Sequence, residues 1–185
     1  NKNKIHIFDK KILVPFGEFL PFRKYLKFLY PITGEIDFSI GNKKRIIQLN
    51  KYINFIPIIC YEIIFFNDLI NNYNRSSPLL INLTNDAWFG KFSGPYQHFY
   101  LSLIRSAEFN KFLIRVSNNG ITAVIDNYGQ IIKFIPLNIK NQKNISIIIP
   151  QDLYNYTKYH KFIYLFFVIL FLFSLIINKK NAEYI

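Results

Sequence analysis

Methionine is absent from the 185 residues, cysteine and tryptophan occur once each, and acidic groups number 11 against 23 lysines and arginines. A single cysteine excludes an internal disulfide and any metal site built from cysteines. No motif calls for a cofactor. The formal charge of +12 invites nucleic acid or an anionic membrane as a partner. The basic residues are scattered, however, and lysine is abundant together with isoleucine, asparagine and phenylalanine, a bias of the whole sequence. A nucleic-acid groove is therefore not expected. With Asn1 first and no methionine anywhere, the chain reads as a fragment or processed piece, and no signal peptide opens it.

What is there is organised around Phe55-Ile56-Pro57-Ile58-Ile59-Cys60-Tyr61-Glu62-Ile63-Ile64. An apolar run rises to the one cysteine, and an acidic, apolar stretch leaves it. The pattern predicts a strand ending at a sharp turn into a helix, with a thiol at the corner. Such a thiol is either an exposed nucleophile beside the first unpaired N–H groups of the helix or a small buried hydrophobe, the commoner fate of a free cysteine.

Residues 4–8 alternate and predict a short strand. The stretch from Asp9 to Phe22 holds two prolines and Gly17, so it is a loop. It is apolar yet carries Lys10 and Glu18, so it either packs on the core or lines a pocket. Taken singly, Lys10 and Glu18 read as a solvated lysine and a surface carboxylate. Residues 23–30 are helix or coil, 31–34 a turn, and 36–40 with 44–50 a hairpin around Gly41-Asn42. A strand over 53–59 precedes a helix over 62–73, a breaker stretch and a strand over 79–83. The loop 84–90 holds Asn85, Asp86 and Trp88, which read as loop-shaping. A helix over 96–111 has apolar positions 99, 100, 101, 103, 104 and 107, with Lys111 off that stripe and Arg105 placed to pair with Glu108. Strands follow over 112–117, 121–126, 130–135 and 145–149. The order predicts an α/β or mixed layered domain over 1–150, then a linker over 151–161.

Residues 162–177 carry no charge, and Lys158, His160, Lys161, Lys179 and Lys180 flank them. With Tyr159 and Tyr164 suited to an interface, this predicts a transmembrane helix over 162–178 and a polar tail over 179–185. A buried core helix is the alternative, but such a helix usually shows a polar face. Positive charge on both flanks leaves the orientation open.

Three stretches together resemble one family: Lys10-Lys11-Ile12-Leu13-Val14-Pro15-Phe16-Gly17-Glu18, Ile59-Cys60-Tyr61-Glu62, and Asn82-Leu83-Thr84-Asn85-Asp86-Ala87-Trp88-Phe89-Gly90. Gly94-Pro95-Tyr96-Gln97-His98 and Asn118-Asn119-Gly120-Ile121-Thr122-Ala123 add to the match. From about residue 4 to 135 the chain resembles the apolipoprotein N-acyltransferases, a membrane-bound branch of the nitrilase (carbon–nitrogen hydrolase) superfamily. The resemblance implies a nitrilase-like α-β-β-α sandwich, incomplete at its N-terminus, followed by one C-terminal transmembrane helix. It implies a Glu-Lys-Cys triad that takes an acyl chain from a membrane phospholipid, holds it as a thioester and passes it to the N-terminal amine of a diacylglyceryl-modified lipoprotein. The implied partners are the phospholipid, the lipoprotein and the bilayer, with no nucleic acid and no cofactor. The implied form is a monomer in a bacterial inner (cytoplasmic) membrane, its catalytic domain on the periplasmic face.

Residue by residue, Cys60 matches the nucleophile and Lys10 the triad lysine, while Glu18, Tyr61 and Glu62 match further positions the family needs for activity. The family's general-base glutamate lies upstream of the Lys10 loop, as does a multi-helix membrane portion, and neither is in this chain. The isolated 185 residues are therefore expected to be inactive. In such chemistry Lys10 would lower the thiol pKa and, with the Tyr61 N–H, donate to the oxyanion. Glu18 and Glu62 either position Lys10 or the incoming amine, or are ordinary hydrogen-bonding carboxylates. Phe16, Phe19, Leu20, Phe22 and Trp88 either receive acyl chains or belong to the core. Two other functions compete: an amidase acting on a small amide, and a non-catalytic or decayed membrane fragment.

Overall fold

The structure is a computed structural model that describes residues 5–149 and 160–182. The chain divides into two compact units, Asn1–Leu153 and Tyr154–Ile185.

The first unit is built on a six-stranded sheet whose strands follow one another in sequence order. The strands are β1 (Ile47–Gln48), β2 (Asn54–Ile59), β3 (Leu79–Thr84), β4 (Phe112–Ser117), β5 (Thr122–Ile125) and β6 (Ile131–Ile135). β2, β3 and β4 run parallel, and β1, β5 and β6 are antiparallel to their neighbours. The apolar runs 55–59, 79–83 and 112–114 form the central strands because a parallel sheet covered by other elements needs apolar residues with little alternation. The register sets Ile56, Leu80 and Leu113 side by side, each with no exposed surface. Truncating one of them to alanine costs ~2–5 kcal/mol. Of the helices α1 (Tyr30–Thr33), α2 (Phe66–Leu69) and α3 (Ser93–Phe109), α3 supplies Phe99 and Phe109 to this core. The turn after β2 adds Ile63, and α2 adds Leu69. The mixed α/β class is as the element order predicts, and the described residues hold one sheet.

Several expectations fail for physical reasons. Residues 5–8 form no strand, and Ile5 and Ile7 are exposed. Nor do 36–40 form half of a hairpin. The hairpin is β1 with β2, turned by Asn50, whose Oδ1 accepts from the N–H groups of Tyr52 and Ile53. Gly41 serves another purpose. Its N–H donates to Lys10 O at 2.7 Å, and a Cβ there would lie 2.4 Å from Asp9 O. Glycine is thus required for a close backbone approach. The helix over 62–73 shrinks to a 3₁₀ turn, Cys60–Ile64, and the four residues of α2. Phe65, at φ −86° and ψ 86°, breaks the run between them. Residues 145–149 form no strand.

α3 begins three residues before its expected start and stops at Asn110, whose left-handed φ of 52° caps it. Its buried face runs through Pro95, His98, Phe99, Ser102, Ser106 and Phe109, so three polar groups share it, while Tyr100 is 63 % exposed. Lys111 is buried, with its ammonium donating to Arg75 O and Ser77 O. Burial and the nearby Arg75 charge push its pKa down to about 8.

The second unit contains α4, His160–Ala182, a helix of 23 residues that takes in the uncharged run. Residues 179–182 are part of the same helix. Side chains from Phe162 to Leu175 are exposed, Val168 alone being half-buried. Among the described residues, no helix is long and apolar enough to cross a membrane. The linker over 151–161 falls mostly outside the described residues.

Candidate active site

Cys60 sits where β2 ends. Ile59 is extended, Cys60 itself has φ 53°, and the 3₁₀ turn begins at once. A left-handed non-glycine residue costs of order 1–3 kcal/mol and persists only where its surroundings hold it. Here the Asn82 side-chain amide donates to Ile58 O and Cys60 O at 3.2 Å each, and Ile59 N–H donates to Glu62 Oε2 at 2.8 Å. The sharp corner is as the sequence predicts. The element after it is a single tight turn, so the N–H groups of a long helix are not behind the thiol. Cys60 is half-buried.

Glu62 is the hub that ties the Lys10 loop to this corner. It has no exposed surface, and five donors reach it. Oε1 accepts from Lys11 N–H at 2.7 Å, Ile12 N–H at 3.0 Å and Arg45 Nη2 at 2.7 Å. Oε2 accepts from Arg45 Nη1 at 2.8 Å and Ile59 N–H. Burial pushes the Glu62 carboxyl up, and Arg45 together with the backbone donors outweighs it and lowers the pKa. Both oxygens are engaged, so Glu62 offers no lone pair to a substrate.

Lys10 donates from Nζ to both oxygens of Glu18 at 2.6 Å, and Glu18 Oε2 also accepts from Val14 N–H at 2.8 Å. The pair is neither a solvated lysine nor a free surface carboxylate, its side chains being 11 % and 21 % exposed. The loop that carries it is a tight turn in which the Gly17, Glu18 and Phe19 N–H groups converge on Val14 O.

These elements enclose a cavity of about 490 Å³, lined by Val14, Gly17, Glu18, Phe38, Cys60, Tyr61, Asn85, Trp88 and Phe89. Its size suits a small-molecule or lipid site and its walls are mostly apolar. It brings together three of the expected site residues, Cys60, Tyr61 and Glu18. Lys10 meets it through Glu18, and Glu62 supports it from inside the fold. The Tyr61 ring lies 5.9 Å from Phe89 and 5.5 Å from His98, centroid to centroid. Of the apolar loop residues, Trp88 lines the cavity and Leu20 is buried, while Phe16 and Phe22 are exposed.

One cluster beside the cavity escaped the sequence reading. Asp86, read as loop-shaping, is buried with Arg115 Nη2 at 2.6 Å and Ser117 Oγ at 3.0 Å on Oδ2, and with His98 Nδ1 at 2.8 Å and Thr84 Oγ1 at 3.1 Å on Oδ1. Burial pushes the Asp86 carboxyl up, but the His98 hydrogen bond and the Arg115 charge hold it down at about 2. Arg115 also donates to Asn82 Oδ1 at 2.7 Å, which links the cluster to the amide that clamps Cys60. The signal in the sequence was a charged residue inside the apolar strand Phe112-Leu113-Ile114-Arg115-Val116. A guanidinium there needs a buried partner.

Comparison with known proteins places these residues in context. The family model described as carbon–nitrogen hydrolase matches residues 1–151. An apolipoprotein N-acyltransferase from Rickettsia typhi is 42 % identical over 162 residues, covering 88 % of this chain and 32 % of its own length. One from Rickettsia bellii is 42 % identical over 185 residues, covering 97 % of this chain and 36 % of its own. One from Allorhizobium ampelinum is 37 % identical over 157 residues, covering 81 % and 29 %. The chain thus spans about a third of the length of the curated relatives it matches.

Proposed function

The chain belongs to the carbon–nitrogen hydrolase family, and from that premise we propose that it works as an apolipoprotein N-acyltransferase. Cys60 Sγ attacks the ester carbonyl of a membrane phospholipid, the lysophospholipid leaves with the displaced alkoxide oxygen and a proton, and the acyl group remains as a thioester. The N-terminal amine of a diacylglyceryl-modified lipoprotein then attacks the thioester, forming the amide and returning the thiol. The observation that carries this reading is the left-handed Cys60 opening on an apolar cavity whose wall includes Glu18, the partner of Lys10. Phe38, Tyr61, Trp88 and Phe89 suit the acyl chain of such a donor.

Lys10 and the Tyr61 N–H serve as oxyanion donors in this scheme, and losing one such donor costs ~2.7–4 kcal/mol of barrier lowering. Glu18 holds Lys10, Tyr61 walls the acyl chain, and Glu62 positions the loop and the corner. The reaction also needs a proton acceptor. Among the described residues the cavity offers no free carboxylate, since Glu18 is bound to Lys10 and Glu62 does not reach it.

α4 fits a bilayer role. Its uncharged run, 162–177, rises roughly 24 Å at about 1.5 Å per residue, shows no polar face and is flanked by lysines that suit a headgroup region. With a phospholipid as donor and a lipoprotein as acceptor, the enzyme belongs at a bacterial inner membrane with its catalytic unit on the periplasmic side.

The test uses an activated donor that a thiolate attacks without a general base. Incubated with a long-chain p-nitrophenyl ester, the chain gains one acyl group on Cys60 by mass spectrometry, and Cys60→Ala gains none. Acetyl ester reacts more slowly than the long-chain ester. An adduct that persists in Cys60→Ala refutes the nucleophile. Equal rates with both esters, or hydrolysis of a small amide, would instead favour an amidase.

A further inference from the structure

Thr84 closes β3 beside the Cys60 corner with its hydroxyl between two acceptors, 3.5 Å from Cys60 Sγ and 3.1 Å from Asp86 Oδ1. A hydroxyl carries one proton, so it can serve only one of them at a time. Asp86 is already supplied by Arg115 and Ser117 on one oxygen and by the His98 ring on the other. The Thr84 proton is thus free to follow the charge on sulfur.

We propose that Thr84 is a positioning residue for Cys60, its hydroxyl donating to Sγ when the sulfur is a thiolate and turning to Asp86 when the sulfur is acylated. No proton is transferred. The O–H bond rotates about the Cβ–Oγ axis, and Asp86 is held fixed by Arg115 to receive it. An ionised acceptor binds a hydroxyl more strongly than a neutral one, so the toggle favours the charged nucleophile over the neutral thiol and over the thioester. The charged and titratable groups around the pair are Asp86 on the turn after β3, Arg115 on β4, His98 on α3, Tyr61 and Glu62 in the Cys60 turn, and Glu18 with Lys10 on the preceding loop. Of these, the hydroxyl bonds Asp86 alone. This inference rests on the reading of Cys60 as the nucleophile.

The experiment measures the rate of Cys60 alkylation by iodoacetamide against pH, followed by mass spectrometry on the 185-residue chain. Thr84→Val keeps the shape and removes the donor, and its midpoint moves up by about one pH unit, so alkylation below the midpoint slows about tenfold. Thr84→Ser restores the parent midpoint. Ser117→Ala removes a competing donor from Asp86 without touching Cys60. It draws the Thr84 proton toward the carboxylate, raises the midpoint by a smaller amount, and keeps the idea testable should Thr84→Val fail to fold. An unchanged midpoint in Thr84→Val, a shift in Thr84→Ser as large as in Thr84→Val, or an unchanged midpoint in Ser117→Ala overturns the proposal. A Thr84-dependent midpoint in a chain that accepts no long acyl group refutes the reaction and keeps the toggle. An acyl adduct with a midpoint indifferent to Thr84 does the reverse.

Discussion

Replacing Glu62 by glutamine tests whether the corner and the Lys10 loop share one anchor. The carboxylate and Arg45 form an ion pair at 2.7 Å, with side-chain exposures of 0 % and 1 %. Removing the charge from one partner leaves the other buried and uncompensated, which costs ~3–5 kcal/mol. Glutamine adds a second fault. All five groups around Glu62 are donors, so its NH₂ must face either the Arg45 Nη1 and Ile59 N–H groups or the Lys11, Ile12 and Arg45 Nη2 groups. No rotation avoids a donor–donor contact, and each unsatisfied buried donor adds ~1–3 kcal/mol. A loss of about 4 kcal/mol, the low end of the two faults together, is a large share of the ~5–15 kcal/mol that holds a domain together and lowers the melting temperature by roughly 10 °C. Urea unfolding followed by far-UV circular dichroism reads it. Adding Arg45→Met to Glu62→Gln should recover part of the loss, because the uncompensated charge is then gone. The reasoning fails if Glu62→Gln unfolds within about 0.5 kcal/mol of the parent, as a surface substitution would. The pH dependence has a fixed sign. The folded Glu62 pKa is depressed, so its contribution is complete above the unfolded value of about 4.3 and disappears as pH falls through the folded value.

Asp86 should dominate the acid side in the same way. Its folded value of about 2 against an unfolded value of about 3.9 corresponds to about 2–3 kcal/mol, complete above the unfolded value and lost as pH falls toward the folded one. The stability difference between the parent and Asp86→Asn, measured by urea unfolding, therefore shrinks from neutral pH into that range, and a constant difference refutes the assignment. Gly120→Ala places a Cβ 1.8 Å from Asp86 Oδ2 and 2.5 Å from Ser117 Oγ. It should destabilise the chain by about 1–3 kcal/mol, and an unchanged thermal midpoint would show that the cluster yields without cost.

The central strands were legible because burial favours apolar residues with little alternation, and 55–59, 79–81 and 112–114 show such runs. Cys60, Lys10, Glu18 and Tyr61 were legible as candidates through ordered motifs. The short helices were not legible. Residues 62–73 have helical apolar spacing, but Phe65, at φ −86° and ψ 86°, leaves helical geometry and divides the run. Gly41 looked like a hairpin signal because a glycine needed for a tight turn and one needed for a close backbone approach are the same letter.

By itself the sequence determined which residues are apolar enough to build the sheet and where the one thiol falls relative to a strand end, since both follow from local pattern. Only the tertiary structure decided what the polar residues do. Arg45 lies 17 positions from Glu62 and Arg115 lies 29 from Asp86, and a buried charge is specified by its partner rather than by its neighbours in the chain. The same long-range closure turns Thr84, an ordinary strand-end residue in sequence, into the group that stands between the thiol and the buried carboxylate.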